Sequence, residues 1–197
     1  MNTLMRSAVR GRSRLASPRY RWHRLGGIAL AGMLAGLSIG KLAYAADEGL
    51  SHWDKSFLVS AIESDAAEIK ASRIALEKSS STDVKSFAQK MIDAHTKTGE
   101  ELKQLAAQKN VQAPTEPSLA QRTKIDLLSK LSGSSFDKHY VDSIGVSAHE
   151  DAVKLFQSAD KKSKDSDVKQ FADGALPTLR EHLTMASDLK SKVEKEK

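Results

Sequence analysis

Four long segments of the chain repeat apolar side chains at the 3.6-residue spacing of an α-helix, and this pattern indicates an all-α fold. In the first segment, Leu58, Ile62 and Ile69 fall on one stripe. Long runs of β-branched residues are missing, which argues against a β-sheet protein. The segments are Asp54 to Ser79, about Asp83 to Lys109, Phe136 to Lys161, and about Asp167 to Lys195. Helices of about 25 residues, each about 40 Å long, predict a four-helix bundle.

The links between these segments predict how the bundle is connected. A Ser-rich break at Ser79 to Asp83 and a charged turn at Lys161 to Asp167 are short enough to be tight turns. The longer link, Asn110 to Ser135, contains two prolines and a short helical pattern from Leu119 to Leu131. We therefore predict a ferritin-like four-helix bundle with a short extra helix between its second and third long helices. Pro177 lies inside the fourth segment and is expected to kink it or remove a backbone hydrogen bond.

The first 45 residues have the three parts of a secretion signal. An Arg-rich start precedes the apolar run Leu25 to Gly40, and the small-x-small sequence Ala43 to Ala45 follows. The apolar run has 16 residues, five of them glycine, whereas a membrane-spanning helix needs about 20 apolar residues. We predict that residues 1–45 are a cleaved signal peptide and that residues 46–197 form a periplasmic domain. Retention of the leader as a membrane anchor is the alternative.

The positive net charge of the chain belongs to this leader. Eight of the 31 basic residues and none of the 25 acidic residues lie in 1–45, so residues 46–197 carry a net charge of −2. This charge does not support a nucleic-acid partner. The chain has no cysteine, so the domain folds without disulfides. We expect no stable membrane insertion once the leader is removed. The sequence leaves two candidate partners open, a second copy of the chain and an envelope protein.

Three histidines are candidates for chemistry because each lies on a different long segment. At 100° per residue, His95 and His182 fall within the apolar stripes of their helices, whereas His149 lies about 90° from its stripe centre. His52 and His139 have no comparable placement. The remaining long segment has no such histidine and offers acids instead, namely Glu63, Asp65, which points most directly inward, and Glu68, which lies at the border.

One imidazole from each of three helices and a carboxylate from the fourth predict a metal site inside the bundle. Imidazole and carboxylate ligands suit Zn, Fe, Mn or Cu. Acids beside the histidines are expected to serve as further ligands or as hydrogen-bond acceptors that fix each ring; they are Asp93, Glu150 and Glu181. The alternative is that each histidine is an ordinary half-buried bundle residue.

Enzyme signatures are missing from the sequence. The paired Glu-x-x-His motifs of di-iron carboxylate bundles do not occur, and neither does HExxH, a nucleophile elbow or a phosphate-binding glycine loop. We therefore predict that the chain is not an enzyme.

A short internal repeat opens the second and fourth segments. Asp83 to Ala88 and Asp167 to Ala172 share five of six residues. This repeat favours a duplicated helical hairpin, although two helix starts with the same capping and core needs would also explain it.

Three stretches together resemble the bacterial family called domain of unknown function 4142. They are FLVSAIESDAAEIKASRIALEKSSSTDVKSFAQKMIDAH (Phe57 to His95), FDKHYVDSIGVSAHEDAVKLF (Phe136 to Phe156) and LPTLREHL (Leu176 to Leu183). The resemblance covers about Trp53 to Leu189. It implies an exported, ferritin-like helical bundle without an established activity.

The resemblance also implies a site. The recurrent polar residues of the family fall on Glu68, His95, His149 and His182, which favours Glu68 over Asp65 as the acid of the first helix. Members often have Asp before the first two of these histidines, where this chain has alanine. We expect a periplasmic bundle that binds a divalent metal through these four residues and acts in envelope stress or metal handling. A metal-free interaction module or homodimer is the alternative function.

Overall fold

The computed structural model describes residues 49–195, and this part of the chain contains helices and no strands. The predicted signal peptide lies outside the described residues. The elements are α1 (His52–Lys78), α2 (Thr82–Gln108), α3 (Leu119–Ser129), α4 (Gly133–Tyr140), a π-helix (Val141–Ser147), α5 (Ala148–Lys162) and α6 (Ser166–Val193).

Two hairpins build the bundle. α1 packs along α2, and α5 packs along α6, while α6 also contacts α2 and the π-helix. α4, the π-helix and α5 follow one another without a break and together form the third long helix of the bundle. α3 lies in the connection between the hairpins and packs on α1. The prediction of an all-α, ferritin-like four-helix bundle with a short extra helix in this connection is confirmed.

Side-chain caps fix the starts of α1, α2, α3 and α6. The Ser51 side chain accepts a hydrogen bond from the backbone N–H of Asp54, and Ser118 and Gln121 form a reciprocal capping box at α3. The side chains of Ser81 and Asp165 cap α2 and α6 by accepting backbone hydrogen bonds, as Ser51 does for α1. Each cap lies two residues before a copy of the internal repeat. The repeat therefore occupies equivalent places in the two hairpins.

The observed helices differ from the predicted segments in their ends and in the geometry of the third long helix. α1 begins two residues earlier than predicted, at His52, the short helix ends at Ser129 rather than Leu131, and the third long helix begins at Gly133, three residues before Phe136. α6 continues through Pro177, and because proline has no N–H to donate, one backbone hydrogen bond is lost there, as predicted. The third long helix was predicted as uniform α-helix, but it contains the π-helix Val141–Ser147.

Gly145 lies in this π-helix, where the chain passes close to its neighbours. A Cβ atom at Gly145 would lie 3.1 Å from Ala186 Cβ and 3.5 Å from a ring carbon of Phe87. The contact with Ala186 is tighter than most side chains accept, so glycine lets the π-helix approach α6 closely.

The apolar core consists of two separate clusters. The first, here called the α4-side cluster, lies around the aromatic side chains of α4 and includes Phe87, Met91, Ile125, Phe136, Tyr140, Val141 and Val193. The second, the α5-side cluster, includes Phe57, Leu58, Ile62, Leu102, Phe156, Val168 and Leu176. In the described part of the chain, no helix is both long and apolar enough to cross a membrane.

Candidate metal centre

A layer of buried polar side chains separates the two apolar clusters. On each long helix this layer lies near the point where residues of one cluster are followed by residues of the other. Its members are Asp65 and Glu68 of α1, His95 of α2, His149 of α5 and His182 of α6. All five residues are buried, and none is more than 6% exposed. Ionisable groups at such depth need a partner, because burial without one is costly.

The three histidines form a nearly equilateral triangle. Each pair of imidazole rings has its centroids 5.4 Å apart. One ring nitrogen from each of His95, His149 and His182 lies within 4.8 Å of the other two. His95 Nε2 and His149 Nε2 are 3.4 Å apart. Two ligands of a tetrahedral metal ion, each about 2.0–2.1 Å from it, are separated by about 3.3 Å. This pair of nitrogens is therefore already at ligand spacing.

Glu68 brings a carboxylate to the same two nitrogens. Its Oε2 atom lies 2.8 Å from His95 Nε2 and 3.3 Å from His149 Nε2. With His95 protonated, the shorter of these contacts is an ion pair between the imidazolium and the carboxylate. If that proton is removed, the oxygen and the two nitrogens are close enough together to bind one metal ion.

Asp65 contacts the opposite side of the His95 ring. His95 Nδ1 lies 2.9 Å from Asp65 Oδ1, so the ring donates its Nδ1–H to this carboxylate and turns Nε2 toward Glu68. Asp65 also approaches the backbone of α2, where a Cβ atom at Gly99 would lie 3.5 Å from Asp65 Oδ2. Carboxylates that hold a ligand histidine in this way orient the ring and raise its basicity.

The π-helix determines where His149 points. The residue was predicted about 90° from the stripe centre, but the structure buries it completely. A π-helix bonds residue i to i+5, so the residues after it are rotated relative to a uniform α-helix. The same geometry brings His149 Nδ1 within 3.2 Å of the Ile144 carbonyl, five residues earlier. His149 donates its Nδ1–H there, which leaves the Nε2 lone pair facing the site.

Burial and neighbouring charges change the pKa values of the site residues. Burial opposes protonation of His95, but the charges of Glu68 and Asp65 outweigh it and raise the His95 pKa to about 10. Burial acts to raise the pKa of Glu68, yet the charges of His95 and His149 hold that pKa well below its usual range. Burial, followed by the charges of the other two histidines, lowers the pKa of His182 to about 4. In the metal-free protein, a proton on His95 thus occupies the space between the ligands.

Two buried polar atoms of the layer have no hydrogen-bond partner, Asp65 Oδ2 and His182 Nδ1. Buried polar atoms are nearly always satisfied in native proteins, so two orphans in one layer need an explanation. A cation bound between the histidines and Glu68 would take the place of the His95 proton as the partner of the Glu68 carboxylate, and the donor chemistry suits a transition metal.

The structure brings the predicted site residues Glu68, His95, His149 and His182 together in this layer. It does not place the three acids beside the histidines there, because their side chains are exposed; these are Asp93, Glu150 and Glu181. The expectation that they support the site was wrong, since residues one or two positions from a histidine in a helix point about 100° or more away from it. The supporting carboxylate is instead Asp65, whose inward position on the helical wheel was the available signal.

Comparison with known proteins identifies a family and two related folds. The family described as "Domain of unknown function (DUF4142)" matches residues 40–189. No curated protein is significantly similar in sequence. The crystal structure of a DUF305 fragment from Deinococcus radiodurans superposes with a TM-score of 0.64 at 12% identity, covering 73% of this chain and 98% of that one.

A conserved hypothetical protein from Mycobacterium tuberculosis superposes with a TM-score of 0.54 at 15% identity, covering 71% of this chain and 91% of that one. At these identities the similarity concerns the fold alone.

Proposed function

The chain belongs to the DUF4142 family, and we propose that its domain binds one divalent transition-metal ion through Glu68, His95, His149 and His182. The observation that carries this proposal is the convergence of three imidazoles from three helices, with a ring nitrogen of each within 4.8 Å of the others. Glu68 Oε2, which lies 2.8 Å from His95 Nε2 and 3.3 Å from His149 Nε2, supplies the carboxylate.

The donor set limits the choice of metal. Three imidazole nitrogens and one carboxylate oxygen suit Zn²⁺, Cu²⁺, Fe²⁺ or Mn²⁺, and the chain has no cysteine to form a thiolate site. Affinity for such a site generally rises from Mn²⁺ through Fe²⁺ to Cu²⁺, with Zn²⁺ below Cu²⁺. We therefore expect Cu²⁺ and Zn²⁺ to bind more tightly than Mn²⁺ or Fe²⁺. Binding is expected to displace the proton from His95.

Metal analysis of the purified protein tests the proposal. Wild-type protein loaded with Zn²⁺ or Cu²⁺ and desalted should retain about one equivalent, because the ligands surround a single point. The variant in which His95, His149 and His182 are all replaced by alanine should retain none. A matched control replaces the exposed His52 and His139 by alanine and should bind like wild type. Equal metal content in the two variants would contradict the proposal.

We extend the proposal to a periplasmic setting and a role in envelope stress or metal handling, for which the support is the leader sequence. Cleavage after Ala45 would give a mature chain that begins at Ala46. The intact mass of protein recovered from the periplasmic fraction tests this. A mass that includes the leader would favour the membrane-anchor alternative.

The competing function, a metal-free interaction module or homodimer, has weaker support. Among residues 49–195, the exposed large hydrophobic side chains are Leu119 and Leu127 of α3. Isolated exposed leucines are ordinary on protein surfaces. A dimer that persists with chelator and in the triple histidine variant would favour this function.

A further inference from the structure

A cleft between α2 and α6 reaches the candidate metal centre from the surface. It has a volume of about 440 Å³, within the size range of small-molecule sites. Its buried end is lined by His95, His182 and Asp65, and its apolar wall includes Phe156 and Phe171.

The cleft and the carboxylate ligand lie on different sides of the histidine cluster. Glu68 lines a second cavity, between α1, α3, the π-helix and α5, that none of the three histidines lines. The α2–α6 cleft is lined by His95 and His182 but not by Glu68. Asp65 also borders the cleft, and it contacts His95 at Nδ1, on the ring edge away from the Nε2 that faces Glu68. Because no carboxylate ligand of the ion lines the cleft, a ligand from outside would approach the ion between His95 and His182.

Charge indicates which class of ligand would enter. Histidines bind metals as neutral imidazoles, so a divalent ion held by three histidines and the Glu68 carboxylate keeps a net charge of +1. At the rim, Lys97 and Glu101 have opposite charges and roughly cancel. The Asp65 carboxylate at the buried end of the cleft offsets this charge, so the metal ion is the positive end of a nearly neutral group, and an anion is attracted to the ion itself.

We propose that the α2–α6 cleft admits a small anion that coordinates the metal ion directly through one donor atom. This inference rests on the proposed metal site. It assigns the site an exchangeable ligand position, in contrast to a closed structural site in which the protein supplies every ligand.

Azide binding to the Co²⁺-loaded full-length protein tests the inference. Cobalt content is measured first, and azide is then titrated while the visible absorption bands of the bound Co²⁺ are recorded. Wild type should show a saturable spectral change. Thr178 lines the cleft one turn before His182 and is exposed, so the substitution Thr178→Trp should obstruct the cleft and weaken azide binding at least tenfold, with unchanged cobalt content.

Two further variants keep the test decisive. Gly174→Trp is a second obstruction at a position where an added Cβ meets no other atom within 4 Å. Asp173→Trp adds the same bulk to an exposed residue of α6 that does not line the cleft, and it should bind azide like wild type. Cobalt-loaded wild type without a saturable response, or equal azide affinity in obstructed and control variants, would overturn the inference. Wild type that retains no cobalt would instead overturn the metal site itself.

Discussion

At the scale of single residues, the site depends on which nitrogen of each imidazole remains free. His95 donates Nδ1–H to Asp65, and His149 donates Nδ1–H to the Ile144 carbonyl. Each ring is thereby held with Nε2 toward its neighbour, 3.4 Å away. The three candidate histidines were predictable from the sequence because each lies on a different long helix, whereas Glu68 was indicated only by the family resemblance. The helical wheel placed Asp65 inward, but its contact with His95 also depends on how closely α1 approaches α2 at Gly99.

Asp65→Ala should lower metal affinity about 10- to 100-fold, because it removes the carboxylate that orients His95 without removing a ligand. Competition with a chromophoric chelator measures the change. Glu63→Ala is the matched control, since it removes an acid of the same helix that lies outside the buried layer. Equal affinity in the two variants would show that Asp65 does not support the site.

The metal-free protein should lose stability as the pH rises. The pKa of His95 is about 10 in the folded protein and 6.5 for the unperturbed side chain, so folding favours its protonated form. This contribution is fully present below pH about 6.5 and disappears as the pH rises through about 10. Urea unfolding with chelator at pH 6.5, 8 and 9.5 measures the decline, and His95→Gln should flatten it. His139→Gln, which changes an exposed histidine, should leave the decline unchanged.

At the scale of elements, local sequence determined most of the helices but not the π-helix. Periodicity and capping residues act within a few positions, so the helix ends were predicted to within about three residues. The π-helix lies where Gly145 packs against Ala186, so closely that a Cβ atom on Gly145 would lie 3.1 Å from Ala186 Cβ. This contact joins distant parts of the chain. Because no local signal indicates this contact, the helical wheel placed His149 at the flank of the apolar stripe, whereas the structure buries it.

Deletion of Ser143, an exposed residue of the π-helix, should abolish tight metal binding while helix content is retained. A π turn holds more residues than an α turn, so a shorter chain is expected to close as α-helix and to rotate His149 by about 100° relative to the helix before it. Circular dichroism and metal analysis provide the two measurements. Deletion of Thr115, an exposed loop residue, should leave binding intact. A Ser143 deletion that binds metal normally would refute this role of the π-helix.

At the scale of the whole molecule, the buried polar layer divides the core of the bundle. The α4-side and α5-side clusters are each apolar, and the five polar side chains between them come from all four long helices. Two unsatisfied buried atoms, Asp65 Oδ2 and His182 Nδ1, weaken the metal-free protein at its middle. A metal ion there would link all four helices at one point.

Metal should therefore raise the melting temperature. A ligand that binds only the folded state at 100 times its Kd stabilises it by about 2.7 kcal/mol, which corresponds to about 5–10 °C for a domain of this size. Thermal unfolding followed by circular dichroism, with Zn²⁺ or with chelator, measures the shift. The triple alanine variant of His95, His149 and His182 should melt at one temperature in both conditions. An equal shift in that variant would indicate binding elsewhere.

The positions of the ligands along the chain affect when the site can exist. Glu68 belongs to the first long helix and His182 to the last, so no partial chain that lacks either end of the bundle contains the full set. A chain that crosses a membrane before it folds would arrive without its metal. The compartment in which folding is completed, and not the one in which synthesis occurs, would then decide which metal ions compete for the protein.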